Sequence, residues 1–189
     1  MLTELIPRKD QERIKQFVNV FLERCTDVAV VVPEDMKAGE SDQEGWTPWK
    51  SVDSPICDEQ IMTLEKEINA KFPPLFRAYL MHKCLLMTDF AVLFPETPSN
   101  APFEKLRQYL SLWESEPFFK KRRLLPFAYD ANDVGPVCFD IGRQNDDGDC
   151  PIVCVDHERI TDASYNGEII AASFSELLDE VERELLSYD

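Results

Sequence analysis

Near Leu124 the chain changes its hydrophobic period, and this change constrains the fold more than any other feature. Downstream lie three short apolar runs, LLPFAYD, GPVCFDI and PIVCVD, bounded by Gly, Pro and Asp. Runs of this length and composition predict neighbouring antiparallel strands joined by turns. Upstream, apolar residues recur at helical spacing instead. Over residues 10–25, Ile14, Phe17, Val18, Phe21, Leu22 and Cys25 form one stripe, with Asp10 as N-cap. Asp58 opens a second helix with Ile61, Leu64 and Ile68 on one face. Pro73 and Pro74 stop it and start a third, carrying Leu75, Tyr79, Leu80 and Met81. Proline suits a helix start because the first-turn amides have no intrahelical acceptor to lose.

Pro102 begins another helix, running to residue 120 with Phe103, Leu106, Leu110 and Trp113 in phase. Residues 28–32 (VAVVV) read as a short strand, and 89–95 (DFAVLFP) as a buried one. Between them, residues 33–57 are rich in Gly, Pro, Ser and acids and read as loop. Ser173 and Glu176 form a capping box, which starts a closing helix with Phe174, Leu177, Leu178, Val181 and Leu185 inward. Helices, then strands, then a helix predict an α+β fold rather than a βαβ repeat. The 189 residues suit one domain with a core that needs no staples.

Charge narrows the partners. The 36 acidic residues against 20 basic ones leave a net charge of −16, which repels nucleic acid and anionic membranes and speeds encounter with basic proteins. The same charge also serves plain solubility. The N-terminus MLTELIPRKDQERIKQF lacks a basic-then-apolar signal pattern, and no apolar run approaches the ~18 residues that span a bilayer. A cytoplasmic location is expected, with the 6 cysteines as reduced thiols. Cys138, Cys150 and Cys154 fall in strand-like runs as small apolar residues.

Three chemical readings compete for the acid-rich stretch. Residues 145–149 (NDDGD) offer hard oxygen ligands, yet the EF-hand order is missing, and Asp and Gly are the standard residues of tight turns. Cys150, Cys154 and His157 offer zinc ligands, with Cys138 upstream. On one strand, however, Cys150 and Cys154 stand about 13 Å apart, too far to share an ion. No metal or cofactor is expected. Catalysis finds no Gly-x-Ser-x-Gly elbow, no phosphate-cradling glycine loop and only two histidines, His82 and His157.

What remains is a surface. Residues 130–162 hold nine acids, among them Asp130, Asp133, Asp140, Asp146, Asp147, Asp149, Asp156 and Glu158, against Arg143 and Arg159. Several stand at strand ends or in the connections, so they are expected at one rim of the sheet. Trp46 and Trp49 in EGWTPW are either aromatic anchors for a partner or a lid over the core.

Several segments, taken in order, resemble the SUKH superfamily, which includes yeast cell-wall synthesis regulators and bacterial immunity proteins. These are GWTPW, QIMTLEKEI, FPPLFRAYL, VGPVCFD, PIVCVDHE and IIAASFSELLDEV, and together they cover most of the chain from about Trp46 to Leu185. The family's asparagine-glycine step after the third helix is replaced here by KCLLMTDF, and its glycine-aspartate step by Gly135-Pro136. The resemblance implies one SUKH-like domain over residues 1–189, with 46–189 as its core and 1–45 as an added helix and acidic loop. It implies a mixed or antiparallel sheet of about four to six strands with helices packed around it, and no catalytic residues. It also implies a protein partner. For the bacterial members that partner is a toxin, often a nuclease, whose basic cleft an acidic rim can fill. The alternatives are a regulatory scaffold that recruits protein partners, as in the eukaryotic members, and a hydrolase or metalloprotein.

Overall fold

The computed structural model describes residues 6–24 and 28–187. Helix α1 (Arg8–Arg24) buries Ile14, Phe17, Val18 and Phe21 along one stripe. It begins two residues before Asp10, so Asp10 lies in the first turn as a negative charge facing the helix dipole rather than as the N-cap. Cys25 lies outside the described residues. The 28–32 segment contributes only β1 (Val28–Ala29), which pairs antiparallel with β2 (Thr47–Pro48). A second small ribbon joins β3 (Val52–Asp53) to β4 (Lys83–Cys84). These two-residue strands are too short to show an alternating pattern, and three of them fall where the sequence reads as loop or helix end.

Helix α2 (Asp58–Ile68) starts where expected. Its cap is Cys57, whose backbone N–H donates to Gln60 Oε1 at 2.9 Å. Asn69, with φ of 51°, ends it in the left-handed conformation that asparagine tolerates. Helix α3 (Pro74–His82) has Pro74 in its first turn, as the sequence predicts. The expected 102–120 helix is two helices, α4 (Glu104–Ser115) and α5 (Pro117–Arg122). Pro117 removes an amide and pushes Glu116 into extended backbone, which breaks the run.

Five strands form the main sheet in the order β5-β6-β7-β8-β9, every pair antiparallel and every neighbour consecutive in the chain. They are β5 (Val92–Leu93), β6 (Leu124–Asp130), β7 (Pro136–Asp140), β8 (Ile152–Cys154) and β9 (Glu168–Ala171). Only Val92–Leu93 of the 89–95 run pairs in the sheet, because the chain turns back on itself through a bridge between Asp89 and Leu93. Strand β9 escapes sequence reading, since its apolar residues run straight into the capping box of α6 (Phe174–Ser187). In that box Ser173 Oγ accepts from Glu176 N at 3.1 Å, while the Glu176 carboxylate accepts from Ala172 N.

All five residues of β7 are buried, so both faces of the sheet are covered. Helices α1, α3 and α6 pack on one another, and α4 and α5 pack on β6. At the centre, Phe76 of α3 and Phe174 of α6 meet Phe127 and Phe139 of the sheet, with ring centroids 5.1–5.7 Å apart. The register slips between Pro126 and Ala128, and this irregularity leaves Phe127 stacked 3.9 Å from Phe139.

Two glycines fix how closely the strands and turns approach. A Cβ on Gly135 (φ +152°) would lie 2.1 Å from Val155 O, and one on Gly167 (φ +80°) would lie 2.3 Å from Val153 Cγ1. Neither site has room for a side chain.

Candidate partner-binding surface

Antiparallel strands place successive connections at opposite ends of a sheet. The connection after β6 and the one after β8 therefore share an end, and the connection after β7 lies at the other, about 14 Å away along the strand. The acids divide accordingly. Asp130, Asp133, Asp156 and Glu158 stand at the first end; Asp140, Asp146, Asp147 and Asp149 stand at the second. The expected single rim does not form.

The first end is a built surface. The Asp130 carboxylate accepts from Asn132 N at 2.8 Å and Val134 N at 3.4 Å, shaping the 130–135 turn. Asp133 sits in that turn with φ of 61° and is exposed. His157 binds the turn to the β8 side: its backbone N–H donates to Val134 O at 3.2 Å, and its Nδ1 lies 2.8 Å from the same oxygen. A carbonyl can only accept, so Nδ1 carries a proton. The Asp156 carboxylate accepts from Glu158 N at 2.9 Å, leaving the Glu158 side chain in solvent.

Electrostatics shows that these groups gather. Burial pushes the Cys154 thiol up to about 11, and Asp130, Glu168 and Asp156 push in the same direction. Burial also raises the Tyr129 hydroxyl, with Asp133 adding to it. Glu168, paired with Cys154 in the sheet and exposed, is thus a fifth carboxylate here that sequence reading missed. Val134, in the same turn as Asp133, is an exposed apolar side chain at 43%. The signal for Glu168 was Gly167, which marks a turn before a strand, but the strand itself was not recognised.

The second end is mostly committed to structure. Asp140 is 8% exposed, with Oδ2 2.5 Å from Arg143 Nε and Oδ1 accepting from Gly142 N at 3.1 Å. A buried, paired carboxylate cannot present itself to a partner, so Asp140 leaves the candidate surface. Asp149 Oδ1 accepts from Phe174 N at 3.1 Å and from Cys150 N at 2.8 Å, which caps α6. Asp147 pairs with Lys9 of α1 at 2.9 Å. Asn145 Oδ1 accepts from both Asp147 N and Asp149 N at 3.0 Å, holding the loop closed.

Pro74 of α3, Asp10 of α1 and Ser173 before α6 line one cavity of about 350 Å³ with this loop. Asp147 and Asp149 therefore sit over three helix N-termini, where the dipoles favour negative charge. Only Asp146 of the four has no bonded partner among the described residues.

The tryptophans lie elsewhere. Trp49 is buried, with its ring 6.4 Å from Phe21, so its role is the core lid and not an anchor. Trp46 is half-buried in a turn where its N–H donates to Asp42 Oδ1 at 2.9 Å. Both belong to the β1–β2 ribbon, not to the loops that carry the acids. Burial also raises the thiols of Cys84 to about 11 and Cys150 to about 12, and that of Cys138 well above its usual value. Among the described residues, no three of His, Cys, Asp and Glu converge as metal ligands.

Residues 55–180, two thirds of the chain, match the SMI1 / KNR4 family (SUKH-1). The chain belongs to that family. The match begins after Trp46 and Trp49, so the tryptophan lead-in is outside it, while both acidic ends lie within. The α+β architecture with its five-stranded antiparallel sheet agrees with the family. No curated protein and no solved structure matched the chain. Among the described residues, no helix is long and apolar enough to cross a membrane.

Proposed function

We propose that this SUKH-1 chain is a non-enzymatic, cytoplasmic protein-binding module, and that its acidic end of the sheet docks a basic protein. The observation that carries the reading is the gathering of Asp130, Asp156 and Glu168 about Cys154, with Asp133 beside Tyr129 and exposed Val134 in the same turn. Carboxylates gathered beside an exposed apolar side chain are the anatomy of an interface that uses charge for steering. The partner class that fits is a toxin with a basic cleft, such as a nuclease, which the chain would neutralise as an immunity protein. A regulatory scaffold that recruits protein partners is the second reading, since the family includes both types. A non-catalytic role is supported by the core thiols, which burial holds protonated and hence non-nucleophilic.

The test is a pull-down from native cells at low and high salt, followed by association kinetics with the captured partner. Asp133→Lys, Glu158→Lys and Glu168→Lys together are expected to slow association about tenfold or more at low salt, with the effect shrinking as the Debye length falls. Glu158→Lys alone and Asp146→Lys at the opposite end form the charge-matched pair, the first expected to slow association by about twofold or more and the second by less than about twofold. Equal effects at both ends would show that net charge alone, not this surface, governs binding.

A further inference from the structure

A groove of about 1310 Å³ lies on a different part of the molecule from the 130–135 turn. Its volume exceeds the roughly 300–1,000 Å³ typical of small-molecule sites and suits a segment of chain. Met62 of α2 gives the groove its open apolar wall, while Ile68 of α2, Trp113 of α4 and Ile141 after β7 line it with only 6–9% of their surface exposed. The Trp113 indole N–H donates to Ile68 O at 3.0 Å, which locks that wall in place. Met62 is 42% exposed, so apolar surface is open to solvent there.

The charge is unlike that of the rest of the protein. Five cations (Lys66, Lys71, Arg77, Lys120, Arg123) and four carboxylates (Glu59, Glu65, Glu67, Glu114) line the groove, a balance of 5 − 4 = +1 in a chain of −16. Arg77 is turned inward to Asp58 at 2.5 Å, and Glu67 is held by Arg107 at 2.9 Å. Lys66, Lys120 and Arg123 are exposed and form no ion pair among the described residues. The basic run at residues 120–123 thereby divides. Arg122 bonds Tyr165 O and Ala163 O and lies 4.6 Å over the Phe118 ring, so it clamps a loop, while Lys120 and Arg123 face the groove.

We infer that this groove binds an acidic peptide segment of another protein, with a large apolar side chain against Met62 and carboxylates on Lys66, Lys120 and Arg123. Lys66, Lys120 and Arg123 outnumber the exposed carboxylates of Glu59 and Glu114 around open Met62, so the groove favours a segment that is net negative and carries an apolar side chain. The inference is independent of the acidic-end reading. It gives the module two binding faces of opposite preference, so two partners could be held at once.

The test is selection from a random 12-residue peptide library against the full chain at low salt. The expected result is enrichment of peptides that combine net negative charge with Leu, Ile, Phe or Trp. Their affinity should fall about tenfold or more in Lys66→Glu/Lys120→Glu, and also in Met62→Asp, with unfolding temperatures confirming that both variants fold. Enriched peptides that are net positive, unchanged binding to the double variant, or no enrichment would overturn the inference. Displacement of every selected peptide by inorganic polyphosphate regardless of apolar content would overturn it as well, since charge alone would then be read. So would enrichment only of sequences like the chain's own FSELLDEVERELLS, which would mark a contact between copies.

Discussion

Gly135 ties the acidic end to the sheet, and replacing it with alanine tests the packing account directly. The added Cβ would lie 2.1 Å from Val155 O and 3.1 Å from His157 N, both backbone atoms. An ordinary contact needs about 3.2 Å or more, so the Val155 segment must retreat by about 1 Å. That retreat strains two hydrogen bonds, Val155 N to Pro136 O at 2.9 Å and His157 N to Val134 O at 3.2 Å. Each is worth about 1 kcal/mol, and the φ of +152° adds about 1–3 kcal/mol for a non-glycine residue. The sum is about 3–5 kcal/mol.

For a chain of this size, each kcal/mol lowers Tm by about 2–4 °C, giving a fall of roughly 6–20 °C by scanning calorimetry. Gly45→Ala is the control. Its φ is +91°, and no atom lies within 4 Å of its Cβ position, so it incurs the backbone term alone, about 1–3 kcal/mol. A Gly135→Ala protein no less stable than Gly45→Ala would refute the claim that close approach of Val155 is what requires glycine at residue 135.

Two further outcomes follow from the acids and the thiols. Asp149→Ala, which removes the Phe174 N acceptor but leaves the Ser173–Glu176 box on α6, is expected to cost about 1 kcal/mol in urea unfolding, whereas Asp146→Ala should stay within about 0.5 kcal/mol of the parent. The folded pKa values of Cys84, Cys150 and Cys154 are raised to between about 11 and 12. Their contribution to stability is therefore complete below the unfolded thiol value near 8.5 and is lost as pH rises towards 11–12. Urea midpoints should fall across that alkaline window and fall less in Cys154→Ala. In a Cys25→Ser background at pH 8, a thiol reagent should label Cys57 first and reach the four buried cysteines only on unfolding.

The helices were legible because a stripe such as Ile14, Phe17, Val18 and Phe21 repeats over several turns and marks one face. Pro74 and the Ser173–Glu176 pair were legible for a different reason, since each satisfies helix-end groups by local chemistry alone. Strand β9 was not, because Ile169, Ile170 and Ala171 lead without a break into a helix, and four residues carry no usable period. The two acidic ends could have been separated from the sequence. Consecutive antiparallel strands alternate direction, so acids in the first and third connections cannot share an end with those in the second. What the sequence could not show was that Asp147 and Asp149 are engaged by Lys9 and Phe174 N, since these partners are fixed by tertiary packing, whereas the Arg143 that holds Asp140 stands only three residues on. Trp49 was ambiguous for the same reason: a tryptophan in a polar loop reads alike whether it faces water or Phe21.

The bond between the first helix and the last has a consequence for synthesis. Arg13 reaches Asp179 at 2.7 Å and Glu182 at 2.7 Å, partners 166 and 169 residues later in the chain. A ribosome adding roughly 5–20 residues per second needs about 8–34 s between making the two. For that interval the nascent chain can dock α1 on α3 but not on α6, leaving part of its greasy stripe uncovered. Ribosome-bound chains stopped before residue 174 should therefore recruit chaperones, and release of the full-length product should end that recruitment.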